Sequence, residues 1–118
     1  MKEQNNRKGR MRRAEEINSI VGEIKKYLVK IYSDKIKQVI IYGSFARNEA
    51  TKESDIDVLV VISDELDSFK VRESLSDFLF EILLEKGELI SLIAIPESIF
   101  KTYNSPFLLN VKEEGGLI

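Results

Sequence analysis

Two stretches decide how this chain is read: Ile41-Tyr42-Gly43-Ser44-Phe45-Ala46-Arg47 and Ser54-Asp55-Ile56-Asp57-Val58-Leu59-Val60. The first ends a run, Ile36–Tyr42, in which the β-branched Val39, Ile40 and Ile41 are consecutive. A strand is expected there, stopping at Gly43-Ser44. In the second, Asp55-Ile56-Asp57 feeds into Val58–Ile62, which is apolar on both sides, as an inner strand is. Side chains alternate along a strand, so Asp55 and Asp57 are expected on one face. Phe45–Ser54 is polar and reads as a loop.

Upstream, Ile17, Ile20, Val21, Ile24, Leu28 and Ile31 recur at three- and four-residue intervals. They form the apolar stripe of a helix of about five turns that ends at Ser33-Asp34. Downstream, Ser63–Ser68 is a polar turn. Val71, Leu75, Phe78, Leu79, Ile82 and Leu83 then mark one helix from Phe69 to a left-handed cap at Gly87. Leu89–Ile95 is a third strand, closed by Pro96. Glu97–Ile118 is weakly helical, with Ile99, Phe100 and Tyr103 on one face and Pro106 breaking the pattern. The apolar cluster Phe107, Leu108, Leu109, Val111 and Leu117 reads as a segment folded over the sheet edge, in preference to a docking surface. The order α-β-β-α-β-α predicts an α/β (α+β) fold, a small mixed sheet flanked by helices.

The chain has 118 residues, 43% hydrophobic and 32% charged. That is enough for one core and lies far from the composition of disorder. The absence of cysteine excludes disulfides and thiolate metal sites. The absence of histidine excludes imidazole bases, Ser-His-Asp arrangements and histidine-held zinc. Chemistry falls to carboxylates, Lys, Arg, Tyr, Ser or a metal with oxygen ligands. The longest apolar run, Val58–Ile62, is too short to cross a bilayer, and no secretory h-region follows the N-terminus. A soluble cytoplasmic protein with no membrane partner is expected. The net charge of −2 conceals Lys2, Arg7, Lys8, Arg10, Arg12 and Arg13 against the single acid Glu3. Residues 1–12 therefore form a basic arm ahead of a single domain, 13–118. A solvated start that frays or lacks order is the preferred reading of the arm; a handle for nucleic acid or an acidic partner is the other. With no interleaved aromatics, nucleic acid is not among the expected partners.

Two carboxylates held close repel each other unless a cation lies between them. Mg²⁺ suits such a pair, because it takes oxygen ligands and completes its shell with water and phosphate. Gly43 permits a sharp turn and the close approach of a ligand, Ser44 adds a hydroxyl and an N–H, and Arg47 offers a forked donor to phosphate oxygens. Taken singly, a Gly-Ser after a strand is usually a turn, and an Asp-x-Asp is more often solvated. Their conjunction is the informative feature.

These motifs resemble the nucleotidyltransferase signature of the DNA polymerase beta superfamily, and most closely its minimal stand-alone members. The resemblance implies a nucleotidyltransferase fold. It implies that Gly43, Ser44 and Arg47 bind the nucleotide, and that Asp55 and Asp57 are catalytic and hold Mg²⁺, two ions in all. The reaction implied is transfer of a nucleotidyl group, AMP from ATP, to a hydroxyl of a protein or small molecule. Active members also carry a third carboxylate on the third strand, where this chain has Ser91 within Ile90-Ser91-Leu92-Ile93. Glu88, three residues away, is expected on the opposite face, and Glu81 and Glu85 toward solvent. Minimal members are often one half of a toxin–antitoxin pair with a small helical HEPN-type protein. Such a partner, or a homo-oligomer, is the implied assembly. The alternative is a catalytically weakened, nucleotide-binding antitoxin or partner-binding module; an incidental motif on a structural α/β module ranks last.

Overall fold

The computed structural model describes residues 2–43 and 55–118, with side chains in the first helix from Glu15 onward. Helix α1 spans Lys2–Tyr32, so the helical backbone takes in the basic stretch as well as the apolar stripe. Ile17, Ile20, Val21, Ile24 and Leu28 are all buried, but Ile31 is 46% exposed. Tyr32 takes the place expected for Ile31. It packs against the core, and its hydroxyl donates to Ser74 Oγ at 3.0 Å. The helix stops there because Ser33 adopts a φ of 55° and opens the 3-10 turn Ser33–Lys35.

Strands β1 (Ile36–Tyr42) and β2 (Ile56–Ile62) pair antiparallel, and β2 pairs parallel with β3 (Ile90–Pro96). The sheet order is β3-β2-β1-β4, where β4 is the short strand Gly116–Leu117 on the free edge of β1. β2 is the inner strand that its apolar run demands, buried at every position from Val58 to Ile62.

The helix expected from Phe69 to Gly87 is two helices, α2 (Ser68–Ser74) and α3 (Ser76–Lys86). Serines flank the break and compete for backbone carbonyls: Ser74 Oγ donates to the Val71 carbonyl at 2.6 Å and Ser76 Oγ to that of Glu73 at 2.9 Å. Leu75, at the junction, is fully buried and anchors both helices. Gly87 ends α3 at a φ of 67°, the left-handed cap its sequence predicts.

The last segment is more regular than its sequence signals. It forms α4 (Glu97–Thr102), α5 (Pro106–Glu114) and β4. Pro106 separates the two helices by starting α5, where its missing N–H costs nothing, and Ser105 Oγ caps the Leu108 N–H at 3.2 Å. Of the expected face Ile99, Phe100 and Tyr103, only Phe100 is buried. α4 ends at Thr102, and Tyr103 follows it with extended backbone, off the helical face. The apolar cluster divides similarly: Leu108 and Val111 are buried, whereas Phe107, Leu109 and Leu117 are exposed. The Ser98 N–H donates to Asp64 at 3.0 Å, which ties α4 to the end of β2 and holds the Asp64 carboxyl below its ordinary range.

Two cores result, one on each sheet face. Val39, Ile41, Ile56, Val58, Val60, Ile90 and Leu92 pack with α1, α2 and α3. Ile40, Leu59 and Val61 pack with Phe100, Leu108 and Val111 of α4 and α5. Among the described residues, no helix is long and apolar enough to cross a membrane. Leu28→Ala is expected to cost about 2–5 kcal/mol in urea unfolding, against less than about 0.5 kcal/mol for Ile31→Ala. Equal costs would contradict this orientation of α1.

Candidate functional site

Because β1 runs against β2 while β3 runs with it, the end of β1 meets the starts of β2 and β3. Tyr42 lies opposite Asp57, and Asp57 opposite Ser91, in one row across three strands. Residues opposite each other in a ladder share a face. The neighbouring row, Ile41, Val58 and Leu92, is buried against the three-helix side. Tyr42, Asp57 and Ser91 therefore face the α4–α5 side, Tyr42 and Asp57 half-buried and Ser91 exposed.

Gly43 sets the position of the Asp57 carboxylate. Its φ is 75°, and a Cβ placed on it would overlap Asp57 Oδ2 and lie 3.3 Å from Asp57 Cγ. Only a residue without a side chain lets the carboxylate rest against the end of β1. Asp55, one residue before β2, is exposed, and the wholly buried Ile56 lies between the two aspartates. With Ile56 turned into the core, alternation turns both aspartates away from it. The Ile56 N–H donates to the Leu89 carbonyl at 2.9 Å, which fixes this edge of the sheet to β3.

Burial, and then the charge of Asp57, push the Tyr42 hydroxyl above its ordinary range. Tyr42 thus remains protonated at neutral pH. Its ring meets Phe107 of α5 edge-on, with centroids 5.4 Å apart at 87°. Sequence reasoning counted Tyr42 only as the end of a strand and Phe107 only as part of an apolar cluster. The missing signal was the register that puts Tyr42 beside Asp57.

Of the residues singled out in the sequence, the structure brings together Gly43 and Asp57, with Asp55 at the rim. Ser44 and Arg47 lie outside the described residues. Ser91 stands beside Asp57, where the third carboxylate was sought. Glu88 is 7% exposed, just ahead of β3, and Glu81 and Glu85 are exposed. Among the described residues, no three acidic side chains cluster so as to hold a metal. The Asp55 and Asp57 carboxylates nonetheless fit one Mg²⁺ whose remaining ligands would be water and phosphate. A groove of about 410 Å³ lies elsewhere, between α2, α3 and β3; it is lined by Phe69, Phe80 and Leu89 among others and by neither aspartate.

The family profile described as "Nucleotidyltransferase domain" matches residues 21–113, and the chain belongs to that family of transferases. Three proteins of Methanocaldococcus jannaschii, whose given names propose protein adenylyltransferase activity, are similar to it. One is 38% identical over 74% of this chain and 82% of its own length. A second is 40% identical over 77% and 90%, and a third 33% identical over 85% and 96%. Among solved structures, a toxin-antitoxin crystal structure with AMP-PNP is similar in fold, with a TM-score of 0.55 at 18% identity, covering 81% of this chain and 69% of that one. A variant of the MntA-HpeT toxin-antitoxin gives 0.54, with the same identity and coverage.

Asp57→Asn is expected to lower the Tyr42 pKa in metal-free protein, because it removes a negative charge that opposes tyrosinate, while burial keeps the value above the ordinary one. Ultraviolet titration, with a Tyr42→Phe variant subtracting the other tyrosines, measures this. An unchanged or raised value would contradict the arrangement of the row.

Proposed function

We propose that this chain transfers AMP from ATP to a hydroxyl of a protein or small molecule, with Mg²⁺ held by Asp55 and Asp57. The observation that carries the reading is the Asp57 carboxylate seated on Gly43 at the end of the sheet, with Asp55 exposed beside it. The names of the Methanocaldococcus jannaschii relatives support adenylyl transfer, and the structural neighbour with AMP-PNP supports a nucleotide at this fold.

Asp55 and Asp57 would supply oxygen ligands, and Gly43, without a side chain, lets the Asp57 carboxylate approach the end of β1. Ser44 and Arg47 are proposed to bind the triphosphate. Bound Mg²⁺ would neutralise phosphate charge and stabilise the departing pyrophosphate. The acceptor oxygen bonds to the α-phosphorus as the bond to the bridging oxygen of the β-phosphate breaks. Pyrophosphate leaves with the electron pair, and the hydroxyl proton passes to water. Positioning and charge neutralisation supply most of the acceleration.

Ser91 beside Asp57 favours a second reading: a weakened enzyme that holds nucleotide and acts through a partner. A serine hydroxyl is neutral and does not replace a carboxylate as base or metal ligand. In either reading the proposed partner is a helical HEPN-type protein of a toxin–antitoxin pair, in keeping with the toxin-antitoxin neighbours.

Asp55→Asn combined with Asp57→Asn is expected to weaken Mg²⁺-dependent ATP binding at least about tenfold in calorimetry, a loss of roughly 1.4 kcal/mol. Equal binding by wild type and double variant would remove the metal site. With ATP labelled at the α-phosphate, transfer to a partner protein that is lost in Asp57→Ala supports the enzyme. Binding without transfer supports the second reading.

A further inference from the structure

We infer that Phe107 is the platform on which the nucleobase stacks, with Tyr42 as the residue that positions it. The inference rests on the nucleotide site proposed above and names how that site grips the base. Phe107 is the second residue of α5, and its own helix is fixed beneath it by the buried Leu108 and Val111. One contact to the ring comes edge-on from Tyr42, yet Phe107 remains 41% exposed. An aromatic side chain held in place and left open is suited to receive a planar ligand.

Its place relative to the chemistry is set by the register. Tyr42 is the β1 partner of Asp57, and adjacent strands lie about 4.8 Å apart. The ring contact therefore puts Phe107 on the same side of the sheet as Asp57, beside the residue paired with it. In that placement a ribose would bridge a phosphate at Asp57 and a base at Phe107. Phe100, the aromatic side chain buried in this core, lies under the Lys112 ammonium at 5.0 Å, so it offers no free face. Stacking of this kind tolerates any base, since every base has a π face.

The test is calorimetry on the full chain with Mg²⁺, comparing ATP with inorganic tripolyphosphate. Phe107→Ala is expected to weaken ATP about tenfold and to leave tripolyphosphate unchanged. Phe107→Leu, which keeps apolar bulk for the fold but removes the π face, is expected to lose ATP affinity similarly, and Phe107→Trp to retain it. Unchanged ATP binding in Phe107→Leu would overturn the inference. So would a parallel loss of ATP and tripolyphosphate, which marks damage to the fold. Wild type that binds neither ligand defeats the nucleotide site itself, a different result from wild type that binds both while the Phe107 variants match it.

Discussion

The contact between the Asp57 carboxylate and the backbone at Gly43 is the constraint on which the rest of the site depends. It exists because β1 and β2 pair with Tyr42 opposite Asp57, and because residue 43 has no side chain and a φ of 75°. A slip of one residue in that register would turn Asp57 into the three-helix core and bring Ile56 or Val58 to the open face. The hydrophobic pattern of β2 forbids this, since Ile56 and Val58 are wholly buried on the core side. Packing of an apolar strand thereby fixes the orientation of a charged group.

The two cores divide the work. The larger one, between the sheet and α1–α3, holds the strands in register. Among the described residues, the smaller one, under α4 and α5, packs on part of the other face, and the row Tyr42, Asp57 and Ser91 lies at its margin. At that margin Tyr42 and Asp57 are half-buried, while Asp55 and Ser91 are exposed.

Much of this was legible in the sequence. β1, with bounds Ile36–Tyr42, followed from its β-branched run, and the inner position of β2 from its unbroken apolar stretch. The Gly87 cap and the burial of Ile17 to Leu28 followed from periodicity. Elements governed by local hydrogen bonding were less legible. The serine-flanked break at Leu75 competes with a good helical pattern, and β4 is two residues whose pairing depends on where α5 returns the chain. At the site, Gly43, Asp55 and Asp57 stood out because their spacing is tied to strand ends. Tyr42 and Phe107 did not, because their meeting depends on the tertiary placement of α5. The position of Ser91 beside Asp57 is read from the parallel register of β2 and β3.

The central claim, that the sheet end at Asp57 grips a divalent cation, is tested most directly by nuclear magnetic resonance with paramagnetic Mn²⁺ as the probe. Substoichiometric Mn²⁺ should broaden the amide signals of Gly43, Asp55, Asp57 and Ser91 first, leave those of Ile24 and Leu28 in α1 sharp, and lose this pattern in Asp57→Asn. Broadening centred on another acidic stretch, such as Glu113-Glu114, or a pattern unaltered by that substitution, would contradict the account.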